Sequence, residues 1–234
     1  FKQKTAYEIR LSLVGSEMCI RDRFYAWEAL VHCEHGCYEG SNEIGVGVEH
    51  IYRNMRRVCK RIAPNLKLPK KDPIGDDTIV MHLRSGDNYH RVFTPPTNYI
   101  PNPLIFYLNL IDSFDKCILI TEPDRNNPIV HELMKIDKVK IQSSTVADDF
   151  ATLMSAKNVA LSGVGTFAMA AALCSTQIKN LYTTNLLLTE HLNYTMMHNT
   201  DVDVHVMDLE NYLPVFPCSW KNTEEQRKFI LDYR

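Results

Sequence analysis

Short apolar runs alternate with segments of helical periodicity over most of the chain after residue 76. The apolar runs predict five buried strands, at residues 78–83, 117–120, 139–141, 159–161 and 180–182. Between them, apolar side chains recur three and four positions apart, which is typical of helices that bury one face. The predicted helices cover residues 103–114, 128–135, 147–156 and 167–174. Strands that alternate with helices of this length form right-handed β-α-β units, so the pattern predicts an α/β fold with a doubly wound parallel sheet over residues 76–234.

Residues 158–178 contain no charged side chain, and the run is long enough to cross a bilayer. Ser162, Gly163 and Gly165 interrupt it near the start, and Gln177 lies near its end. We therefore interpret this segment as a buried strand, a glycine turn and a buried helix, and not as a membrane span.

The chain from residue 24 to residue 75 does not share this alternation. Apolar side chains recur at helical spacing over residues 49–62, and prolines follow at positions 64 and 69. Basic residues surround the apolar ones, and we interpret them as the solvated face of a helix. We expect this part of the chain to be a helical linker or the remnant of an amino-terminal domain.

Composition restricts the classes of partner. The 234 residues include 26 lysines and arginines against 28 acidic residues, giving a net charge of -2. This balance argues against binding to nucleic acid through a basic surface. A small anionic ligand stays compatible with it, because one pocket can be basic on a neutral protein.

The seven cysteines are too few for a disulfide scaffold, and their number is odd. Cys117 and Cys174 lie in apolar runs, so we expect them to be small core residues. Candidate zinc ligands occur together at His32, Cys33, His35 and Cys37. No second pair follows at a recognised spacing, so we favour a loop or a local disulfide there and predict no metal site.

Residues 1–23 form a separate segment whose sequence resembles a translated adaptor, a recurrent contaminant of transcriptome-derived protein sequences. We expect the segment to carry no function. It is too rich in charge for the apolar part of a secretory signal, so we expect no targeting segment within this chain. The protein's own amino-terminal part, with any membrane anchor, is then expected to lie outside this sequence.

Removal of residues 1–23 is therefore expected to leave the fold intact. A chain that starts at Phe24 should melt at the same temperature as the full chain in a calorimetric scan. A clear loss of melting temperature would show that the segment stabilises the rest of the protein.

The first candidate site follows the strand that ends near residue 83. His82 and Arg84 are separated by one residue, so their side chains point to the same side of a strand, and Gly86 permits a tight turn. A guanidinium at a strand end can grip a phosphate through two hydrogen bonds, while Asp87 can hold the guanidinium or a hydroxyl. An Arg84–Asp87 pair that only ties the loop explains these residues equally well.

A second candidate is the turn from Ser162 to Phe167, between the fourth predicted strand and the next helix. Gly163 and Gly165 allow the backbone to approach a ligand, and the free amides at the start of a helix bind anions. Thr166 can cap the helix or donate its hydroxyl to a phosphate. The turn lacks the lysine of a P-loop, so it does not indicate nucleotide hydrolysis.

A third candidate lies at the start of the predicted helix over residues 147–156, where Asp148 and Asp149 are adjacent. Carboxylates in a first helical turn are commonly explained by the helix dipole. The functional alternative is a carboxylate that accepts hydrogen bonds from the ring N–H and the amino group of a guanine. All three candidates follow predicted strands, and ligands of doubly wound sheets bind outside the carboxyl ends of the strands.

Together the candidates resemble a known family. The pattern His82-x-Arg84-x-x-Asp87, then Asp149-x-x-x-Leu153-x-x-Ala156 and Ser162-x-x-Gly165-Thr166-Phe167, is similar to the donor-binding half of GDP-fucose-dependent fucosyltransferases. The group meant contains the α1,2, α1,6 and protein O-fucosyltransferases. Residues 103–107 and 120–122 are similar to that group as well, and the resemblance covers about residues 76–185. It implies that residues 76–234 are a Rossmann-like domain that binds a nucleotide sugar, the carboxyl-terminal domain of a GT-B fold.

The resemblance also implies the activity. An inverting, metal-independent glycosyltransferase of the Golgi or the ER lumen would transfer fucose from GDP-fucose to a hydroxyl of a glycan or a glycoprotein. It would need no cofactor, because a cationic side chain stabilises the leaving diphosphate.

The resemblance assigns roles to residues as well. Arg84 would bind the β-phosphate and help GDP leave, with His82 supporting it, and Asp149 would contact guanine. The implied donor-binding residues are His82, Arg84, Asp149, Ser162, Gly165, Thr166 and Phe167, and the implied catalytic residues are Arg84 and Asp87.

Two other functions stay open on the sequence. A non-catalytic module that binds a nucleotide or a sugar would keep the same loops without a catalytic base, and another transferase of this fold would use a different nucleotide sugar. Position 85 is a serine, where the α1,2 and α1,6 enzymes often carry a second arginine. The base itself stays open among Asp87, His90 and an acidic residue outside this sequence.

Overall fold

In the part of the chain that the structure describes, six strands form one sheet in which all neighbours are parallel. They are β1 (Ile74–His82), β2 (Lys116–Ile120), β3 (Val139–Gln142), β4 (Ala156–Ala160), β5 (Asn180–Thr184) and β6 (Asp203–Met207). Their order across the sheet is β3-β2-β1-β4-β5-β6. This is the order of a Rossmann-like sheet, and it confirms the predicted α/β fold with a doubly wound parallel sheet.

The structure is a computed structural model that describes residues 48–90, 99–186, 192–212 and 220–234, with side chains described from residue 54 onward. Residues 53–234 form one compact unit. Two of the predictions concern residues outside this described part. They are the predictions for segment 1–23 and for the histidine–cysteine cluster at 32–37.

The described helices are α1 (Val48–Ile62), α2 (Leu104–Ser113), α3 (Pro128–Leu133), α4 (Val146–Ser155), α5 (Phe167–Cys174) and α6 (Glu224–Asp232). Helix α3 begins at a proline after Asn127, whose side chain accepts a hydrogen bond from the amide of Ile129. Helix α4 begins after Thr145, whose hydroxyl accepts from the amide of Asp148. The predicted helices between β1 and β5 are therefore confirmed within a few residues at each end.

The uncharged run from residue 158 to residue 178 divides as predicted. It contains most of β4, a turn and the whole of α5, and every residue of α5 after Phe167 is buried. A helix that is apolar on all sides is a buried helix, here covered by protein. Among the residues that the structure describes, no helix is both long enough and apolar enough to cross a membrane.

The strand order reverses between β1 and β4. Strands β2 and β3 follow on one side of β1, whereas β5 and β6 continue on the other side of β4. The connections on the two sides leave the sheet in opposite directions, so a crevice opens outside the carboxyl ends of β1 and β4. The general rule for doubly wound sheets therefore points to the edge of the sheet at which the first two candidate segments begin.

Helix α1 corrects one expectation. The sequence predicts that its basic residues face solvent, but Arg56 is 3% exposed. Its Nε donates to Asp201 Oδ1 at 2.8 Å, and its Nη1 donates to the carbonyl of Ala172 at 2.8 Å. Periodicity shows which face of a helix is polar, but it does not show that an acidic partner from another element covers part of that face.

The Arg56–Asp201 pair makes stability depend on pH. Hydrogen bonds from Arg56 and from Lys60 hold the pKa of Asp201 well below its usual range. The pKa of an aspartate in the unfolded chain is about 4. Because folding lowers the pKa of this carboxyl group, its ion pair stabilises the protein fully above about pH 4. The stabilisation is lost as the pH falls from there through the pKa of the folded state. The side chain of Asp201 is 61% exposed, so water screens the pair.

Replacing Asp201 by asparagine is expected to cost about 1 kcal/mol at pH 7, a fall in melting temperature of about 2–4 °C. The difference should shrink as the pH falls below about 4, where Asp201 binds a proton in the unfolded chain, and it should vanish once the pH is below the depressed pKa of the folded carboxylate. Melting curves at several pH values test this, with the exposed Asp203 replaced by asparagine as the control. A difference that does not change with pH would contradict the assignment.

Candidate functional site

One line of contacts joins the three candidate segments at the crevice. His82, at the end of β1, places its Nδ1 3.1 Å from the Oγ of Ser162, which follows β4. The imidazole packs on Phe167, with ring centroids 5.2 Å apart, and Phe167 packs on Phe150 at 5.6 Å. These contacts link the end of β1 and the turn after β4 to Phe150 of α4, the residue that follows Asp149.

His82 is a neutral member of this site. It is buried, and its burial together with the nearby charge of Arg84 lowers the pKa of His82 to about 3. The imidazole is therefore uncharged at physiological pH and shares one hydrogen bond with Ser162. It contacts the ring of Phe167 and the hydroxyl of Ser162, which suits a positioning role better than acid–base chemistry.

Arg84 supplies a permanent positive charge just beyond the carboxyl end of β1. Burial alone would lower the pKa of Arg84, but the carboxylates of Glu122 and Asp87 outweigh burial and raise the pKa above its ordinary value. Its side chain is 18% exposed. A cation that is held in place and partly exposed is suited to binding an anionic group.

Asp87 and Arg84 form an ion pair. Arg84 Nη2 donates to Asp87 Oδ1 at 2.7 Å, across the turn where Gly86 has a φ of 54°. This is the loop-tying pair that the sequence offered as one explanation. The guanidinium carries five N–H donors, so the pair alone does not exhaust its capacity to bind a phosphate.

The backbone around Arg84 is fixed by the loop after β2. The amide of Ser85 donates to Glu122 at 2.5 Å, and the amide of Gly86 donates to Asp124 at 3.0 Å. Asn127 donates through its side chain to the carbonyl of Arg84 at 2.8 Å and through its amide to the hydroxyl of Ser85 at 3.0 Å. These four hydrogen bonds hold Arg84 at the end of β1.

Sequence reasoning did not identify Glu122 and Asn127 as residues of the site. Both follow the carboxyl end of β2, the neighbour of β1, so the rule that ligands bind at strand ends was the signal that could have found them. Ser85 is completely buried, and its hydroxyl accepts from the amide of Asn127, so the space at this position holds only a small side chain.

The turn after β4 depends on Gly163. Its φ is +84°, and a Cβ at this position would lie 2.4 Å from the carbonyl oxygen of Ile100. The next amide, of Val164, donates to that carbonyl at 3.2 Å. Thr166 occupies the cap position of α5, but its side chain makes no capping hydrogen bond. The side chain of Thr166 therefore does not cap α5. Its other predicted role, a hydrogen bond from its hydroxyl to a phosphate, stays a prediction.

Replacing Gly163 by alanine is expected to destabilise the protein by about 1–3 kcal/mol, because the new methyl group strains the backbone and meets a carbonyl oxygen. Gly165 is the matched control, since a Cβ there would lie 3.0 Å from Ser162 Oγ, a side-chain atom. Urea unfolding of both alanine variants measures the difference. Equal losses of stability would contradict the conformation described for Gly163.

Asp149 lies in the first turn of α4 and is 8% exposed. It accepts from Gln142 Nε2 at 2.7 Å and from the amide of Ser144 at 3.3 Å. Burial raises the pKa of Asp149 above its usual value, although these hydrogen bonds act against the rise. Two donors do not fill the acceptor sites of a carboxylate, so Asp149 can accept further hydrogen bonds.

Asp148 differs from its neighbour. It accepts from the Thr145 hydroxyl at 2.6 Å and pairs with Lys71 at 3.3 Å, and these contacts lower its pKa. It therefore belongs to the cap of α4, the role that the helix dipole predicts for such a residue.

The described residues contain no group of three or more histidine, cysteine, aspartate or glutamate side chains arranged to hold a metal ion. Comparisons of the chain with protein-family models, with curated proteins and with solved structures found no match, so the function is inferred from the site itself.

Proposed function

We propose that residues 76–234 are the donor-binding domain of an inverting, metal-independent glycosyltransferase that uses GDP-fucose. The observation that carries the proposal is the contact of His82 with Ser162 and Phe167 at the strand-order reversal, which joins the first two motifs. Phe150, the neighbour of Asp149 in the third motif, packs on Phe167. A nucleotide bound at such a reversal lies across the carboxyl ends of the central strands. The crevice supplies a cation, a helix start and a buried carboxylate, which are three groups that a guanosine diphosphate needs.

Arg84 and the start of α5 form the diphosphate side of the proposed site. The guanidinium can grip phosphate oxygens through paired hydrogen bonds, and the amides at the start of α5 with the hydroxyl of Thr166 can bind the adjacent oxygens. His82 is uncharged, so it adds no second charge and holds Ser162 and Phe167 beneath the turn.

Asp149 forms the base-binding side. Guanine presents a ring N–H and an exocyclic amino group next to each other, and a carboxylate can accept from both at once. The contact of Phe150 with Phe167 brings the first turn of α4 towards the first turn of α5. Uracil and cytosine do not present the same pair of donors, so Asp149 would favour guanine.

In the proposed reaction, an acceptor hydroxyl attacks C1 of fucose while the bond from C1 to the β-phosphate oxygen breaks. The configuration at C1 inverts, the hydroxyl proton passes to a base, and GDP leaves with added negative charge. Arg84 stabilises that charge, since it is a fixed cation in a partly dry site. The substrate on the other side is a hydroxyl of a glycan or a glycoprotein.

A non-catalytic nucleotide-binding module is the second candidate, and one observation favours it. Asp87 accepts a hydrogen bond from Arg84 at 2.7 Å, so the carboxylate that would be the nearest candidate base is already engaged by a cation. Such a module would bind GDP through the same residues and would not transfer a sugar.

Binding of GDP is expected to be independent of divalent metal ions. The reason is that Arg84 supplies the positive charge that a metal ion supplies in other transferases. The Asp201-Val-Asp203 triplet, the usual type of metal-binding sequence, has its first carboxylate paired with Arg56 and Lys60. Calorimetric titration with GDP should give the same affinity with EDTA as with Mg²⁺ or Mn²⁺. A strict need for either ion would contradict the proposed mechanism, and an absence of GDP binding under all conditions would reject the function.

A further inference from the structure

The segment over residues 99–103 contacts the carboxyl ends of two strands of the sheet. It belongs to neither a helix nor a strand, yet it is buried except at Ile100, which is half-buried. At its centre, Asn102 is completely buried, although asparagine side chains are mostly exposed in proteins. A buried amide side chain has hydrogen-bond partners, so the partners of Asn102 indicate what the segment holds in place.

Asn102 joins the ends of β4 and β5. Its Nδ2 donates to the carbonyl of Leu161 at 3.0 Å, and its Oδ1 accepts from the hydroxyl of Thr184 at 2.7 Å. Leu161 directly follows β4 and precedes the glycine turn, while Thr184 is the last residue of β5. The side chain of Asn102 therefore fixes the point at which the chain leaves β4 for the turn.

The backbone of the segment contacts the turn itself. The amide of Val164 donates to the carbonyl of Ile100 at 3.2 Å. A Cβ on Gly163 would lie 3.0 Å from the amide nitrogen of Asn102 and 3.2 Å from the carbonyl carbon of Pro101. Backbone thus packs directly on backbone, so a shift of the 99–103 segment would shift the turn as well.

The segment is stiff and is held from its other side. Prolines flank Asn102, and a proline fixes its own φ and restricts the residue before it, so the backbone on both sides of Asn102 has few conformations. The hydroxyl of Tyr212 donates to the carbonyl of Pro101 at 2.7 Å, and the amide of Trp220 donates to the carbonyl of Tyr99 at 3.1 Å. These contacts give the turn a rigid support.

We propose that Asn102 is a positioning residue of the donor site, which holds the turn from Ser162 to Thr166 so that the amides at the start of α5 are in place before a phosphate arrives. Asn102 is completely buried, so it acts through the turn and not by touching the ligand. Donors that are already in place bind an anion more tightly, because binding does not have to order them. The inference rests on the function proposed above, since it concerns the same site.

Asn158 offers a matched control within the same strand. It lies in β4 and is 3% exposed. Its side chain donates to the carbonyls of Asp76 and Thr78, both at 3.1 Å, and accepts from Asn180 at 2.8 Å. Asn158 is thus a buried asparagine with similar partners, but its contacts lie before the carboxyl end of the strand. Its loss should destabilise the sheet without releasing the turn.

Calorimetric titration with GDP, at a temperature where each variant is folded, separates the two roles. Asn102→Ala should weaken GDP binding about tenfold, the effect of one lost hydrogen bond to a charged group. Asn158→Ala should lower the melting temperature to a similar degree and leave the affinity for GDP unchanged. Wild-type affinity in a folded Asn102→Ala variant, or equal losses of affinity in the two variants, would overturn the proposal.

Thr184→Val keeps the test decisive if Asn102→Ala does not fold. The valine removes only the hydroxyl that donates to Asn102 and keeps the shape of the side chain. GDP binding should weaken by a smaller factor than in Asn102→Ala, because the hydrogen bond from Asn102 to Leu161 stays. Unchanged affinity in Thr184→Val, where Asn102→Ala is unfolded, would overturn the proposal.

Hydrogen exchange at the Val164 amide, followed by NMR without nucleotide, is the second readout. This amide is bonded to the 99–103 segment, so its exchange reports how often the turn separates from its support. Asn102→Ala should accelerate the exchange about tenfold or more, and Asn158→Ala should not. Equal exchange rates in wild type and Asn102→Ala would overturn the proposal. A wild-type chain that binds no GDP would reject the proposed function, and the exchange rates then decide by themselves whether Asn102 positions the turn.

Discussion

Replacing Arg84 by lysine is expected to weaken GDP binding tenfold or more while the protein stays folded. A lysine keeps the charge, but its ammonium group cannot make the paired, planar hydrogen bonds of a guanidinium to a phosphate. Loss of one such charged hydrogen bond costs about 1.5–3 kcal/mol, and each 1.4 kcal/mol is about a factor of ten in affinity. Calorimetric titration of the variant with GDP measures the loss.

The control for this experiment is Arg57→Lys, an equivalent change at an exposed arginine of α1. It should leave both the affinity for GDP and the melting temperature unchanged. Unaltered GDP affinity in a folded Arg84→Lys variant would remove Arg84 from the donor site. The ion pair with Asp87 would then be sufficient to explain why the arginine is there.

The second large effect concerns turnover. If residues 76–234 are the donor half of a two-domain enzyme, the acceptor binds to a facing domain, and this chain by itself should bind GDP but transfer fucose very slowly. Holding donor and acceptor together can supply about 7–11 kcal/mol of the barrier, or about five to eight powers of ten in rate. The strands of the described residues form one sheet, and this sheet belongs to the domain that we propose binds the donor nucleotide sugar.

A transfer assay with GDP-fucose and a set of glycan and glycoprotein acceptors measures this rate. The released GDP is followed alongside the fucosylated product, so that hydrolysis and transfer are distinguished. Rapid transfer by this chain would show that it needs no further domain. GDP binding with neither transfer nor hydrolysis, in a chain extended by an acceptor domain, would favour the non-catalytic module.

Local sequence patterns predicted the central part of the fold well. Strands β1 to β5 and the helices between them are short and regularly spaced, and they bury apolar side chains. The spacing of those buried side chains is the sequence signal that identifies a strand or a helix. The edge strand β6 was missed because it is exposed along most of its length and shows no apolar run. Helix α6 was missed because its sequence is mainly polar and Ile230 is its fully buried residue.

The residues of the site divide in the same way. His82, Arg84 and the turn after β4 lie at strand ends. They could be predicted because ligands of doubly wound sheets bind outside the carboxyl ends of the strands. The supporting residues Glu122 and Asn127 act through hydrogen bonds to the backbone of another loop, and nothing in their own neighbourhood of the sequence specifies that contact. Trp220 is a further example, because this buried indole donates to the carbonyl of Asn88 across the fold at 2.8 Å.

The role of Asp149 can be separated from that of Arg84. Asp149→Asn is expected to weaken GDP binding without changing the weaker binding of UDP, because the amide keeps one acceptor and introduces a donor against the guanine edge. Inosine diphosphate lacks the exocyclic amino group, so its affinity should lie between those of GDP and UDP. A variant that loses GDP and UDP affinity equally would indicate a general effect on the fold of α4 and not a contact with the base.

The affinity of the unmodified chain for GDP relative to UDP is the most direct test of the assignment as a guanosine-diphosphate-sugar site. Both nucleotides carry the same diphosphate, so Arg84, Thr166 and the start of α5 would contact them alike, and any difference reports on the base. Side-by-side calorimetric titrations should show GDP binding at least about tenfold more tightly than UDP, which corresponds to one hydrogen bond to a charged group. Equal affinities for the two nucleotides, or no measurable binding of either, would contradict it.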